Sequence, residues 1–501
     1  MERLSADTEP PIVASGEAFD VLDSAEAGGL IVRGGALRFG SYIAVVGLSV
    51  LSAGLLTRHL GVVGFGEYTT VISLVTIVAS VTDAGMSNIG AHEYAVRRGA
   101  ERDELMRNLL GLRVALTLVG ILLALAFAVG AGYDTALLAG TVAAGLGTVA
   151  IVWQHTLSIP LATALRLGVM SSLELARQIL SVALIVVLVS AGAGVLPLLA
   201  VVLVVNLLLI PPTAALVRGQ ISARPSIALR GWASLLGATI SFSLATAVGT
   251  LYVYTAQILT SLVASRHQSG LFAVSFRVFI VAAGVAGMLV GVTLPVLSRA
   301  ARDNRARLQY ALQRIFEVTL IAGVAAALGF VVGAHFIVGV IAGRGYSGSV
   351  PVLQLQALAL LPSFLLAGWS YALLSLKRYR GLLIANAIAF AVSCGLTLTL
   401  AATDGAQGAA IATVCGESAL AVGYLIVLTR AHPELRPQAA LLVKVLASAI
   451  PAVALALLTD LPSALAAILV LAVYGALILA TGAMPRELAE LIPHPRRAAD
   501  R

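Results

Sequence analysis

The chain has 501 residues, of which 59% are hydrophobic and 11% are charged, and its formal net charge is +8. A soluble domain of this length could not bury so much apolar surface, so the composition excludes an ordinary soluble protein and indicates that lipid surrounds most of the chain. The basic residues lie in short gaps between apolar runs, where membrane topology and anionic lipids explain them, and we expect no nucleic-acid partner.

Residues 1–35 are polar and include acidic side chains such as Asp7, Glu9 and Glu17. They lack the basic start and the immediate apolar core of a cleaved signal peptide. We therefore predict a flexible cytoplasmic N-terminal tail over 1–35.

The rest of the chain consists of apolar runs of about 20 residues, the length of helix that crosses the roughly 30 Å hydrocarbon layer of a bilayer. The sequence predicts fourteen spans, at 37–57, 67–90, 109–131, 135–158, 171–191, 195–217, 232–262, 270–297, 313–341, 351–375, 381–402, 406–429, 438–459 and 462–484. The seventh and ninth are long enough to tilt or to extend beyond the bilayer.

Basic residues crowd into every second gap between these spans. With the N-terminus inside, 28 of the 32 Lys and Arg residues fall on the cytoplasmic side, whereas only Arg58, Arg266 and Arg344 fall outside and Arg277 lies within a span. Because basic residues stay in the cytoplasm during insertion, this partition predicts a multi-pass protein of the cell membrane with both termini cytoplasmic, including a tail over 485–501.

The predicted outer loops, such as 132–134, 192–194, 403–405 and 460–461, are short and nearly uncharged. They leave no room for the catalytic loop of a membrane-embedded glycan polymerase or ligase. The seven histidines are scattered and the two cysteines lie in apolar segments, so no metal-ligand spacing is present. We therefore expect a transporter without catalytic residues, cofactor or metal, rather than an enzyme.

A weak internal repeat relates the two halves of the chain. Gly66-Glu67-Tyr68 opens span two, and Gly270-Leu271-Phe272 opens span eight 204 residues later. This offset carries spans one to six onto seven to twelve in the same orientation, which is a common transporter plan. The predicted fold is an all-α polytopic membrane protein with an N-lobe over 36–217, a C-lobe over 218–430 in parallel pseudo-twofold repeat, and two further helices over 431–484.

Ionisable side chains inside a bilayer are costly and usually face a partner or a wet cavity. Arg277, near the predicted outer end of span eight, is a candidate anion contact, because a guanidinium suits phosphate and carboxylate. The alternative is that its side chain extends outward to the membrane surface or forms a structural pair within the protein. Arg58 and Glu67 flank the first outer gap and could join Arg277 around one vestibule, or form an ordinary interfacial salt bridge.

Two carboxyl groups are candidates for ion or proton coupling. Glu417 lies mid-way along span twelve, where burial raises a carboxyl pKa, or where the group could simply fix helix packing. Asp83 lies toward the inner end of span two, where it could bind an ion, although capping a helix break is the stronger expectation. Glu174 and Arg177, three residues apart, are expected to pair structurally. Neutral polar residues in the spans, including Gln154, His155 and Gln257, could bind sugar hydroxyls but more often join helices.

Several segments together resemble a known family. They are Thr57-Arg58-His59-Leu60-Gly61 with Gly64-Phe65-Gly66-Glu67-Tyr68, Leu271 to Arg277 followed by Leu294-Pro295-Val296-Leu297-Ser298, Gly343 to Leu355, and Gly405-Ala406-Gln407-Gly408-Ala409-Ala410. In this order, over about residues 35–430, they resemble the Wzx-type branch of the multidrug/oligosaccharidyl-lipid/polysaccharide (MOP) flippase superfamily.

The resemblance implies two six-helix lobes around a cavity and export of isoprenoid-pyrophosphate-linked oligosaccharides by alternating access. In the related lipid II flippases, arginines on helices one and eight and an acid on helix two line that cavity, and Arg58, Arg277 and Glu67 match them. Many members carry an arginine–aspartate pair late in helix seven, where this chain has Ala256-Gln257.

We therefore predict a lipid-linked oligosaccharide flippase whose head-group contacts are Arg58, Arg277 and Glu67, and whose coupling candidates are Glu417 and Asp83. The expected partners are the lipid-linked substrate, membrane lipids, and glycosyltransferases and a polymerase of the same pathway. The alternatives are a cell-wall precursor flippase, a drug/cation antiporter of the same superfamily, and a non-transporting membrane scaffold for glycan assembly.

Overall fold

The structure is a computed structural model, and it describes residues 25–83, 85–164, 166–219, 221, 224–291, 293, 297, 299–300, 305–459 and 461–484. The described part of the chain is helical and contains no β-strand. The first half of the chain forms α1 (Ala25–Asp83), α2 (Met86–Val96), α3 (Gly99–Gly130), α4 (Thr135–Leu157), α5 (Ile159–Thr163), α6 (Leu167–Ser190) and α7 (Val195–Leu216). The second half forms α8 (Leu229–Val263), α9 (Arg266–Gly291), α10 (Arg305–Ile341), α11 (Ser349–Ala357), α12 (Leu360–Ser375), α13 (Tyr379–Ala431), α14 (Ala439–Leu458) and α15 (Ser463–Ala480).

Two of these helices each contain a pair of predicted spans. Helix α1 breaks at Gly61, which has φ 68° and ψ −178°, and α13 breaks at Gly405, which has φ 57° and ψ −129°. Glycine has no Cβ and adopts a positive φ without strain, so one residue is enough to turn the chain. Gln268 satisfies the donor next to the second break, because its Oε1 accepts the Ala406 N–H at 3.0 Å. Residues predicted as outer loops at 58–66 and 403–405 are therefore mostly helical.

Among the residues that the structure describes, eleven helices are long and apolar enough to cross a membrane. Two of these helices are divided by the breaks at Gly61 and Gly405, and each of the two therefore contains two spans. The shorter apolar segment Ala247–Val263 in α8 is a further span, which brings the number to the fourteen that the sequence predicts. Helices α8 and α10, which carry the seventh and ninth spans, have 35 and 37 residues and are long, as predicted. Helix α1 begins at Ala25, inside the predicted 1–35 tail, while the tail's residues 1–24 and the C-terminal tail 485–501 lie outside the described residues.

The helices form two six-span lobes and an added pair, which confirms the predicted fold class. In the N-lobe α4 packs along α7, in the C-lobe α10 packs along α12, and α14 and α15 lie against α10. Helix α1 packs against α8 and α9, so the two lobes meet along these central helices. One hydrophobic cluster joins the lobes by placing Leu56 and Phe65 with Phe272 and Val338.

The two glycines of the internal repeat make a close backbone contact between the lobes. A Cβ on Gly66 would lie 2.8 Å from Gly270 Cα, and a Cβ on Gly270 would overlap the carbonyl oxygen of Val62. Only glycine allows two helices to pass so closely at this point. The beginnings of spans two and eight are therefore in direct backbone contact, and this junction positions the residues that surround it.

Candidate functional site

Arg277 lies where the central helices α1, α8 and α9 converge. Its guanidinium, carried by α9, donates a hydrogen bond to Ser49 Oγ on the first half of α1 at 2.7 Å. The side chain is half-buried, and its charge interacts with the hydroxyl groups of Tyr68 and Tyr254. Among the described residues no carboxylate forms a salt bridge with Arg277, so its positive charge has no counter-ion in this part of the chain.

Arg58 lies at the end of the first span, against the C-lobe. It is exposed and donates a hydrogen bond to the Val340 carbonyl at 2.6 Å, near the end of α10. Its neighbour Thr57 donates to the Ile341 carbonyl at 3.0 Å, and Tyr346 donates to the Thr57 carbonyl at 3.0 Å. Burial raises the pKa of Tyr346, which keeps its hydroxyl protonated as a donor. Together these bonds join α1 to the end of α10 and to the segment that follows it.

Glu67 forms a salt bridge across the lobe junction. Its Oε1 lies 3.3 Å from Arg266 Nη1, at the beginning of α9. The pair borders a pocket of about 150 Å³ that is also lined by Thr70, Tyr133 and Ser269. The structure thus pairs Glu67 with Arg266, gives Arg58 and Arg277 other partners, and does not bring the three predicted head-group residues into mutual contact.

Gln257 occupies the position where the family resemblance would place a charged pair. Its Nε2 donates to Thr70 Oγ1 of the N-lobe and to Ser269 Oγ, both at 3.2 Å. The side chain is fully buried, and within the described residues its Oε1 has no hydrogen-bond partner. Neutral hydrogen bonds therefore join the lobes here, next to the Gly66–Gly270 contact.

Glu417 lies inside the C-lobe and is held by two hydroxyl groups. Tyr252 of α8 donates to Oε1 at 3.0 Å, and Ser363 of α12 donates to Oε2 at 2.6 Å. The carboxyl group is buried, and no basic side chain in the described part of the chain forms a salt bridge with it. A buried carboxyl group with only neutral partners is a group that can exchange a proton or take up a cation.

Asp83, in contrast, has a permanent counter-charge. It forms a salt bridge with Arg113 of α3, and Ser87 donates to its Oδ1 at 2.6 Å. Arg113 is fully buried and also donates to Thr156 Oγ1 at 2.9 Å. In the charge partition Arg113 is one of the residues on the cytoplasmic side. The structure shows it buried within α3. Its position inside the predicted span 109–131 is the feature of the sequence that could have indicated this burial.

The predicted pair of Glu174 and Arg177 is present, with 2.8 Å between Oε2 and Nη1. Arg177 also donates to Gln154 Oε1 at 2.6 Å, so Gln154 joins helices α4 and α6 rather than pointing free into a cavity. Among the residues that the structure describes, no group of three or more His, Cys, Asp or Glu side chains is placed to hold a metal ion.

Comparisons with known proteins place this geometry in context. A family described as "Polysaccharide biosynthesis protein" matches residues 55–351. The lipid II flippase MurJ, in an inward closed conformation, is 13% identical, with 89% of this chain and 99% of that chain covered and a TM-score of 0.74. An inward-facing multidrug resistance MATE family transporter of the MOP superfamily is 14% identical, with 80% and 98% covered and a TM-score of 0.64.

The outward-facing conformation of a MATE family transporter is 16% identical, with 79% of this chain and 94% of that chain covered and a TM-score of 0.55. No curated protein sequence matches this chain significantly. The family match covers more than half of the 501 residues, whereas the solved structures are similar in fold. The chain belongs to the family described as "Polysaccharide biosynthesis protein", and its fold is similar to that of the lipid II flippase MurJ and of MATE family transporters.

Proposed function

We propose that the protein moves an isoprenoid-pyrophosphate-linked oligosaccharide from the inner to the outer leaflet of the cell membrane by alternating access, with both termini in the cytoplasm. The family description supports a glycan substrate. The observation that carries the proposal is Arg277, a half-buried cation held by Ser49 at the junction of the lobes. A pyrophosphate with attached sugars cannot cross hydrocarbon unaided, because its charges and hydroxyls would lose their hydration.

In this proposal Arg277 contacts the pyrophosphate, and the hydroxyls of Tyr68 and Tyr254 beside it contribute further hydrogen bonds. A guanidinium offers several N–H donors in a planar fork, which matches phosphate oxygens well. The lipid tail stays in the bilayer while the polar head passes between the lobes.

Arg58 and Glu67 act later, at the outer exit. In the present conformation both are engaged across the lobe junction, with Val340 and Arg266 respectively. Opening the outer side separates these partners. The Arg58 guanidinium can then bind the departing head group, and the Glu67 carboxylate repels the phosphates of that head group. Closure and release are thus assigned to the same two side chains.

For energy coupling we propose Glu417 rather than Asp83. Glu417 is held only by the Tyr252 and Ser363 hydroxyls, so proton or cation exchange changes its charge without breaking a salt bridge. Exchange at Asp83 would leave the buried Arg113 unpaired, which is costly. Asp83 is therefore proposed as a structural anchor of the N-lobe.

The test is flipping in vesicles of purified protein and an isoprenoid-pyrophosphate oligosaccharide, measured as the fraction of glycan that reaches the opposite leaflet. Arg277→Gln should slow flipping by about tenfold or more, since a charged hydrogen bond is worth roughly 1.5–3 kcal/mol, and Arg277→Lys should recover part of the rate. Ser49→Ala, which removes only the neutral partner, is the matched control. A wild-type rate in Arg277→Gln at normal protein level would reject the head-group site.

A further inference from the structure

A separate pocket of about 340 Å³ lies at the arginine-rich end of the C-lobe. It is enclosed by the start of α10, the ends of α12 and α13, and the connector 432–438 that leads to α14. Phe316 and Trp369 form its apolar wall, with stacked rings whose centroids are 6.3 Å apart at an interplanar angle of 10°, and Leu428 lies beside them. This pocket is distinct from the lobe junction that holds Arg277.

The rim of the pocket is polar. It is formed by Gln309, Tyr310, Arg436 and Gln438. Arg436 is exposed, and within the described residues its guanidinium has no hydrogen bond or salt bridge. The other polar groups of the connector are engaged, since the Gln438 N–H donates to Gln313 Oε1 at 3.3 Å and Glu434 lies 3.8 Å from Arg305. Arg436 is therefore the rim cation that remains available to a ligand.

The connector itself is anchored to the lobe. Leu435 is only 7% exposed and belongs to the same hydrophobic cluster as Phe316, Trp369 and Leu428. Arg436, the next residue, is thereby held at the mouth of the pocket on a short, fixed segment. The backbone that carries Arg436 is therefore already in place when an anion binds, and only its side chain has to be ordered.

We infer that this pocket binds the phosphate head group of an anionic phospholipid from the adjoining leaflet. The two segments that contribute the rim, 305–317 and 432–438, carry four arginines and two glutamates, so the surroundings of the pocket have a net positive charge. Basic pockets between spanning helices on the cytoplasmic side are suited to anionic lipid heads. The apolar wall accommodates the glycerol backbone and the start of the acyl chains.

The size of the pocket supports this ligand class over a glycan. A volume of about 340 Å³ is at the lower end for ligand sites. It accommodates one head group and leaves no space for an oligosaccharide. The inference does not depend on the proposed substrate, because the pocket lies away from the lobe junction.

The tryptophan in the wall provides a direct probe. The chain has three tryptophans, so Trp153→Phe with Trp232→Phe leaves Trp369 as the only indole. Short-chain phosphatidylglycerol titrated into the purified full-length protein in detergent should change Trp369 fluorescence saturably, whereas short-chain phosphatidylcholine should not. Arg436→Gln should weaken the phosphatidylglycerol affinity by about tenfold, the value of one charge-assisted hydrogen bond. Arg430→Gln, an exposed arginine outside the pocket, should change it less than about twofold.

Native mass spectrometry of the protein with all three tryptophans provides a second measurement that does not depend on the replacements. Retained phosphatidylglycerol should decrease in Arg436→Gln and not in Arg430→Gln. Equal binding of phosphatidylcholine, or equal affinity in wild type and Arg436→Gln, would overturn the inference. Binding of inorganic phosphate or of a polyprenyl phosphate without phosphatidylglycerol binding would also overturn it, because the pocket would then recognise another anion.

Discussion

Gly66 of α1 and Gly270 of α9 face each other across the lobe junction, and these are the same two residues that open the repeated segments of the sequence. Residues related by a parallel pseudo-twofold repeat meet only at the axis that relates the lobes. The contact therefore marks that axis at this side of the molecule, which the charge partition predicts to be the outer one. Around it lie the Glu67–Arg266 salt bridge and the Gln257–Thr70 hydrogen bond, so this side is closed.

We expect Gly270→Ala to open the outer side, because its Cβ would overlap the Val62 carbonyl and force the lobes apart. The measurement is labelling of Ser269→Cys, which is 3% exposed, by an impermeant thiol reagent added from outside, in a background of Cys394→Ser and Cys415→Ser. Labelling should accelerate several-fold. Gly395→Ala, where a Cβ meets nothing within 4 Å, is the control and should leave labelling unchanged. Slow labelling in both variants would show that the contact at Gly270 does not control access to this side.

Asp83→Asn should destabilise the N-lobe strongly, because Arg113 would remain buried without its counter-charge. Removing one partner of a buried pair costs about 3–5 kcal/mol, and we expect the lower end because the Asp83 side chain is 37% exposed. The readout is the apparent melting temperature of the detergent-purified protein. Glu93→Gln is the matched control, since its pair with Arg97 is exposed and should be worth less than about 1 kcal/mol.

Arg113→Met in the Asp83→Asn background should recover part of the lost stability, because no buried charge is then left unpaired. Equal melting temperatures for Asp83→Asn and the double variant would show that the ion pair does not hold these helices.

Glu417→Gln should abolish the response of transport to a pH gradient while preserving the fold. Glutamine keeps an oxygen that accepts from Tyr252 or Ser363 but cannot change its charge. Flipping in vesicles would be measured with the gradient imposed in each direction. The variant should show equal rates in both, with a melting temperature close to that of the wild type. A wild-type response would assign coupling to another group.

The topology predicts opposite labelling at the two ends of the spans. Single cysteines at Gly194 and Asp404 should react with an impermeant reagent outside intact cells, and one at Arg378 should react only after the membrane is opened. Gly194 and Asp404 lie at the ends of spans where the connecting segments carry no basic residue, and Arg378 precedes α13 at the arginine-rich end. Labelling of Gly194 and Arg378 from the same side would refute the assignment of leaflets.

The sequence was sufficient for the number of spans and for their grouping into lobes, because bilayer thickness fixes helix length and insertion fixes where arginines lie. The sequence was not sufficient to predict the turns at Gly61 and Gly405. Each turn is made by a single residue of positive φ, so the surrounding segment does not have the polar composition of a loop. Contacts such as Glu67–Arg266, 199 residues apart, depend on how the lobes dock, which no local pattern records.

The Asp83–Arg113 pair has an electrical consequence. A charge that crosses the whole membrane potential does work of about 2.3 kcal/mol per 100 mV, whereas a neutralised pair that moves as one body does almost none. The Asp83–Arg113 pair can therefore move with the N-lobe while the membrane potential does almost no work on it. Any voltage dependence of the proposed transport cycle would then act on charges without a counter-ion, such as Arg277 or an ionised Glu417, or on the phosphates of the proposed substrate.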